Sequence, residues 1–167
     1  DGEPHAVGSP FMVFATQNPV DYEGTFPLPE SQMDRFLMRI RMGYPEPEDE
    51  LEILRVARTS YDAIALDPVL SREDVLNLQA LAARIFIEDS VLSFLQKIVA
   101  ATRTEAEFRA GVSVRGGLAL RSAAQARALV NGRDFVLPED VTELVGPTLA
   151  HRLGLVHPTS DALEERR

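Results

Sequence analysis

A continuous apolar run, Phe11 to Ala15, stops abruptly at Thr16-Gln17-Asn18-Pro19, and this break constrains the fold more than any other feature of the chain. A short apolar stretch without alternation, bounded by Pro10 and by Asn18-Pro19, reads as a fully buried strand. In open α/β sheets the ligand lies beyond the carboxyl ends of the strands, which is where Asn18 falls. Upstream, Asp1-Gly2 has the composition of a hairpin tip, and His5-Ala6-Val7 reads as the returning strand. A chain that opens on a hairpin tip, with Asp rather than Met first, is expected to be cut from something longer.

Residues 19–29 read as loop, with Pro19, Gly24, Pro27 and Pro29. Pro29-Glu30-Ser31 starts a helix of about two turns, and Leu37 to Met42 alternates at its end as a second strand, stopped by Gly43, Pro45 and Pro47. The composition then changes. Glu48 to Arg58 reads as a helix carrying Leu51, Leu54 and Ala57, with acids in its first turn where the dipole favours them. Ser71 with Asp74 forms a capping-box pattern, before a helix that buries Val75, Leu78, Leu81 and Ala82. Asp89 caps another, with Val91, Leu92, Leu95, Ile98, Val99 and Thr102 along one face. A helix from Ser113 ends at Asn131-Gly132. Pro138 opens the last, through Val141, Leu144, Val145 and Leu149. The expected organisation is an α/β remnant of two or three strands in residues 1–45, an all-α domain in 46–157, and a polar, frayed tail in 158–167. Two strands do not make a stable sheet alone, so the front part is expected to lack neighbours.

The balance of charge narrows the partners. The net charge is −9, with one lysine, Lys97, against sixteen arginines. An acidic chain argues against a nucleic-acid surface, which needs clustered Lys and Arg, but a nucleotide site needs only one or two placed cations. There is no cysteine, which excludes disulfides and thiolate metal sites. His5, His151 and His157 show no metal spacing. No stretch reaches the roughly 18 apolar residues of a membrane span, and no signal peptide is evident. The expected location is cytoplasmic.

Three residues are candidates for chemistry. The Asn18 amide offers a donor and an acceptor, so it can hold a water and a phosphate oxygen together; the alternative is that Asn-Pro merely starts a turn. Arg35 follows Asp34 on a projecting element, from which a guanidinium can reach a neighbouring subunit and neutralise a transferring phosphoryl group; the alternative is a surface pair with Glu30 or Asp34. Arg115 stands in a first helical turn, where the dipole disfavours a cation but free N–H groups attract anions. Gly116 and Gly117 follow it, at a helix-propensity cost of about 1 kcal/mol each, and suggest close approach of a ligand or another backbone.

The segments ATQNP and EGTFPLPESQMDRF resemble the MoxR family of AAA+ ATPases, and GVSVRGGLALRSAAQARAL with NGRDFVLPEDV resembles that family's lid. The resemblance runs over residues 1–157. It implies that Asn18 is the sensor 1 asparagine, Arg35 the arginine finger acting on the neighbouring subunit, and Arg115 the sensor 2 arginine acting on its own subunit's nucleotide. It also implies that residues 1–8 form the far side of the hairpin before sensor 1. The family's lid usually reads Ser-Pro-Arg-Ala where this chain has Ser113-Val114-Arg115-Gly116, and a capping Thr where it has Leu137. Both departures are expected to loosen a helix start.

No Gly-x-x-x-x-Gly-Lys-Ser/Thr occurs, and no apolar strand ends in Asp-Glu. Without those parts this chain alone is expected neither to bind ATP and Mg²⁺ tightly nor to hydrolyse ATP. The resemblance implies a complete protein that uses both, as a homo-oligomeric hexameric ring that remodels or matures client proteins, often with von Willebrand factor A domain partners. Two other readings stand beside it. One is a stand-alone helical interaction module; the other is a related AAA+ subunit such as a magnesium chelatase type.

Overall fold

The computed structural model describes residues 5, 7–17, 28–56 and 67–156. Element order is α1 (Glu30–Met33), α2 (Pro47–Val56), α3 (Arg72–Ala82), α4 (Asp89–Thr104), β1 (Phe108–Ala110), α5 (Val114–Val130), α6 (Pro138–Leu149), a 3₁₀ turn (Ala150–Arg152) and β2 (Gly154–Leu155). Helix α5 turns Leu120, Ala123, Ala124, Gln125 and Ala128 inward, a stripe at helical period made largely of small side chains. Small side chains allow close approach, and α5 with α6 is the most extensively packed pair. Helix α4 adds Val91, Leu95 and Val99, while Ile85, Val112, Val136, Val141 and Leu149 complete the core. Fully burying Leu120 and Leu149 contributes roughly 1.5–3 kcal/mol each. The core therefore lies among α4, α5 and α6, and α3 leans on α5 from outside.

Helix ends follow the sequence closely. Ser71 Oγ accepts from the Asp74 amide at 3.1 Å, and Asp74 Oδ2 accepts from the Ser71 amide at 2.8 Å, completing the capping box. Ser113 Oγ accepts from the Gly116 amide at 3.3 Å. Gly132 ends α5 with φ +71°, a left-handed conformation that costs glycine little. Leu137 has no side-chain acceptor to cap α6, yet Asp140 Oδ2 still takes the Leu137 amide at 2.9 Å. The same carboxylate receives a bidentate grip from Arg133 at 2.7 and 2.6 Å, with Arg127 Nε at 3.4 Å. Asp140 is only 2% exposed. The Arg133 hydrogen bonds outweigh desolvation and hold its carboxyl below the usual range.

Several expectations are corrected. Phe11 to Ala15 is not a buried strand: no strand forms there, and Phe11, Met12, Val13 and Phe14 are largely exposed. Leu37 to Met42 is likewise no strand, and Leu37, Ile40 and Met42 are exposed. His5 and Val7 lie in no strand either. The physical reason is shared: a strand needs a neighbouring strand for its N–H and C=O groups, and among the described residues no strand pairs with these segments. Helix α1 is one turn rather than two, although hydrogen bonds from Arg35 N–H to Gln32 and from Phe36 N–H to Met33 extend it as tighter turns. Helix α3 buries none of its residues, because only its edge meets α5. The α4 N-cap is Glu88, not Asp89. The α2 residues Leu51 and Leu54 are exposed; Ala57 and Arg58, like the 158–167 tail, lie outside the described residues. The all-α part also contains an antiparallel β1–β2 pair, Phe108 opposite Leu155 and Ala110 opposite Gly154.

Removing the Asp140 carboxylate takes the bidentate partner from Arg133 and the acceptor from the Leu137 amide at once, while Arg127 keeps Glu143. Asp140→Ala is expected to lower stability by about 3 kcal/mol, read as a fall in the urea midpoint. A loss below about 1 kcal/mol would show that the cluster is dispensable.

Candidate functional site

The chain's front segment and its helical part meet around one buried guanidinium. Pro147 sits inside α6, and its carbonyl accepts the Arg39 amide at 2.8 Å. One turn later the helix tightens to 3₁₀ geometry and aims Arg152 at the loop after α1. The Arg152 side chain is 2% exposed. Its Nε donates to the Thr148 carbonyl at 2.9 Å. Nη1 donates to the Asp34 carbonyl at 2.5 Å and to Asp34 Oδ1 at 2.7 Å. Nη2 donates to the Phe36 carbonyl at 2.6 Å and reaches the Leu37 carbonyl at 3.4 Å. An arginine has five N–H donors, and this set of acceptors uses them all. That saturation, with the Asp34 charge, is what makes burial tolerable.

Asp34 carries the connection onward. Ser113 Oγ lies 3.4 and 3.5 Å from its carboxylate oxygens, so the acid also sits at the start of α5, where the helix dipole favours an anion. The stem of Arg152 explains Gly116. A Cβ there would lie 2.4 Å from Val112 Cγ1 and 3.1 Å from Arg152 Cδ. Val112 is buried, so it cannot yield. The glycine serves this packing rather than approach of a ligand or another backbone, and it accounts for the departure from Ala at this position. Gly117 is under no such demand, since a Cβ would meet Val99 at an ordinary 3.5 Å.

Asn18 lies outside the described residues. Arg35 and Arg115 are both exposed. Among the described residues, neither guanidinium makes a hydrogen bond or ion pair. The pairing of Arg35 with Asp34 considered from sequence does not form, because Asp34 is taken by Arg152. The Asp34–Ser113 contact nonetheless brings the segments carrying the two free arginines to one junction. A depression of about 570 Å³ between the starts of α4 and α6, lined by Phe86, Glu88, Phe135 and Leu137, includes neither Arg35 nor Arg115. Among the described residues, no group of His, Cys, Asp and Glu could hold a metal ion, and no helix is long and apolar enough to cross a membrane.

Sequence reasoning missed Arg152 and His151. His151 is buried beside Arg152, with Nε2 3.3 Å from the Phe36 carbonyl and Nδ1 without a hydrogen-bond partner. Burial, with the positive charges of Arg152 and Arg39, pushes its pKa below the ordinary 6.5, against the pull of the Phe36 and Pro147 carbonyls.

Both parts of the chain resemble known proteins. Residues 100–167 match the AAA lid domain, and residues 1–38 match the ATPase family associated with various cellular activities (AAA). The uncharacterized protein YeaC of Bacillus subtilis is 45% identical over 95% of this chain and 49% of its own length. The chaperone MoxR1 of Mycobacterium tuberculosis is 41% identical over 98% of this chain and 45% of its own. The crystal structure of a candidate ATPase from Cytophaga hutchinsonii superposes with a TM-score of 0.80 at 37% identity, covering 96% of this chain and 51% of that one. The chain thus spans about half the length of the curated relatives it matches.

The His151 shift has a definite sign. The unfolded chain takes up this proton near pH 6.5, whereas the folded chain resists it until lower pH. Its contribution is fully present above about pH 6.5 and is lost as pH falls toward the folded value. The urea midpoint is expected to drop between pH 7.5 and 5.5, and His151→Asn to flatten part of that drop. An unchanged slope in the variant would contradict a buried neutral ring.

Proposed function

We propose, for a chain that belongs to the MoxR family of AAA+ ATPases, that it supplies the lid and the neighbour-sensing edge of an ATP-hydrolysing ring. In this reading residues 1–45 close the α/β core and residues 46–157 form the lid. The complete protein hydrolyses ATP with Mg²⁺ as a cytoplasmic homohexamer, and it remodels or matures client proteins, including partners with von Willebrand factor A domains. This sequence holds no phosphate-cradle motif, and among the described residues no group could hold a metal ion, so no step is assigned to a metal held by this chain.

The observation that carries the reading is a pair of exposed arginines, unpartnered among the described residues, on two segments that meet at Asp34 and Ser113. Guanidiniums left without a partner among the described residues are available to an anion that arrives from outside. Arg35 would stabilise charge on the phosphoryl group of the neighbouring subunit's ATP, Asn18 would orient the attacking water, and Arg115 would tie the lid to the γ-phosphate. In this reading Arg35 acts on the neighbouring subunit's nucleotide and Arg115 on its own, and the Asp34–Ser113 contact links the two segments that carry them.

In the full-length protein, Arg35→Ala is expected to lower ATP turnover by at least about 100-fold, within the range measured for such fingers, while KM for ATP stays within about threefold. Turnover within a few-fold of the parent would remove the finger assignment.

A further inference from the structure

We propose that Arg152 is a positioning residue for Arg35: the end of the lid holds the finger's backbone in place. The inference rests on the finger reading above. Arg152 grips the carbonyl of residue 34 on one side of Arg35 and those of residues 36 and 37 on the other. Arg35 itself contributes its amide, to Gln32 at 3.1 Å, while its side chain makes no hydrogen bond or ion pair among the described residues. Its aim is therefore set by the path of its backbone. Catalytic groups need placement to within about 0.5 Å, and α1, a single turn, is too short to supply that alone. The buried guanidinium does supply it. Its acceptors are carbonyls at fixed positions in the chain, and its stem is wedged against Gly116.

A second consequence concerns motion. Arg152 belongs to the helical part through its bond to the Thr148 carbonyl, and Ser113, which caps the helix bearing Arg115, contacts the same Asp34. A rotation of the lid therefore carries residues 34–37 with it. Lid and finger move as one body, so a lid displacement caused by nucleotide in one subunit repositions the finger presented to the next.

The test compares Arg35→Ala, Arg152→Lys and the double variant in the full-length protein. Lysine keeps the charge for Asp34 but cannot bridge the carbonyls on both sides. Arg152→Lys is expected to lower kcat about 10- to 100-fold, the scale of a misplacement of about 1 Å, with KM for ATP within about threefold. Adding it to Arg35→Ala is expected to cost less than about twofold more, since its effect passes through the missing guanidinium. Hydrogen exchange is expected to quicken at the amides of Arg35, Phe36 and Arg39, with the core amides of α4 and α5 unchanged. A multiplicative loss in the double variant, or normal turnover in Arg152→Lys, overturns the positioning role while leaving the finger intact. A near-normal Arg35→Ala protein overturns the finger reading itself. Should Arg152→Lys fail to fold, Asp34→Asn keeps the shape and removes the charge, and the same non-additivity with Arg35→Ala is expected.

Discussion

One guanidinium joins the two parts of this chain. Arg152 binds residues 118 and 116 positions away, and it does so mainly through main-chain carbonyls. The front segment has no strand neighbour among the described residues, so its carbonyls would otherwise turn to solvent or stay unsatisfied. A buried acceptor left without a partner costs about 1–3 kcal/mol, and Arg152 serves several at once. The Arg39 amide on the Pro147 carbonyl and His151 beside Phe36 reinforce the same seam. The seam is polar, specific in register and built at the end of the lid, so it fixes the direction in which the segment around Arg35 runs.

Arginines in this protein divide by what they touch. Arg133 is paired bidentately with Asp140, and Arg152 is saturated by carbonyls and Asp34. Both are structural, because every donor that matters already has an acceptor inside the fold. Arg35 and Arg115 are the converse: exposed, unpaired among the described residues, and carried on segments that meet at Asp34 and Ser113. Burying a charge demands partners in the same chain, whereas leaving one free at a prepared position leaves it available to an incoming anion. In the reading proposed above, that anion is a nucleotide phosphate and Arg35 and Arg115 are the residues that meet it.

Much of the helical part was legible in the sequence because its signals are local. The Ser71 capping box, the Ser113 cap, Gly132 and the apolar period of α4 each lie within a few residues of the structure they dictate. The strands failed for a non-local reason. The run at Phe11 to Ala15 has the composition of an interior strand, but pairing depends on neighbours the pattern does not contain. Helix α3 has a plausible apolar face that meets too little to be buried. The pairing of β1 with β2 involves segments of three and two residues, too short to leave a periodic trace. At the site, Arg35 and Arg115 stood out by motif order. Arg152 did not, since all its acceptors but the Thr148 carbonyl lie more than 100 positions away and nothing beside it in sequence announces them. Gly116 was noticed but misread, because its reason is the girth of Val112 and of the Arg152 stem.

The most direct measurement of the central claim is a structure of the assembled full-length protein with a non-hydrolysable ATP analogue. The account predicts Arg35 Nη atoms within roughly 3 Å of a γ-phosphate oxygen on the neighbouring subunit, with Arg152 still bound to the carbonyls of residues 34 and 36. An intact ring in which Arg35 faces solvent, or is paired within its own subunit while nucleotide is bound next door, would contradict it.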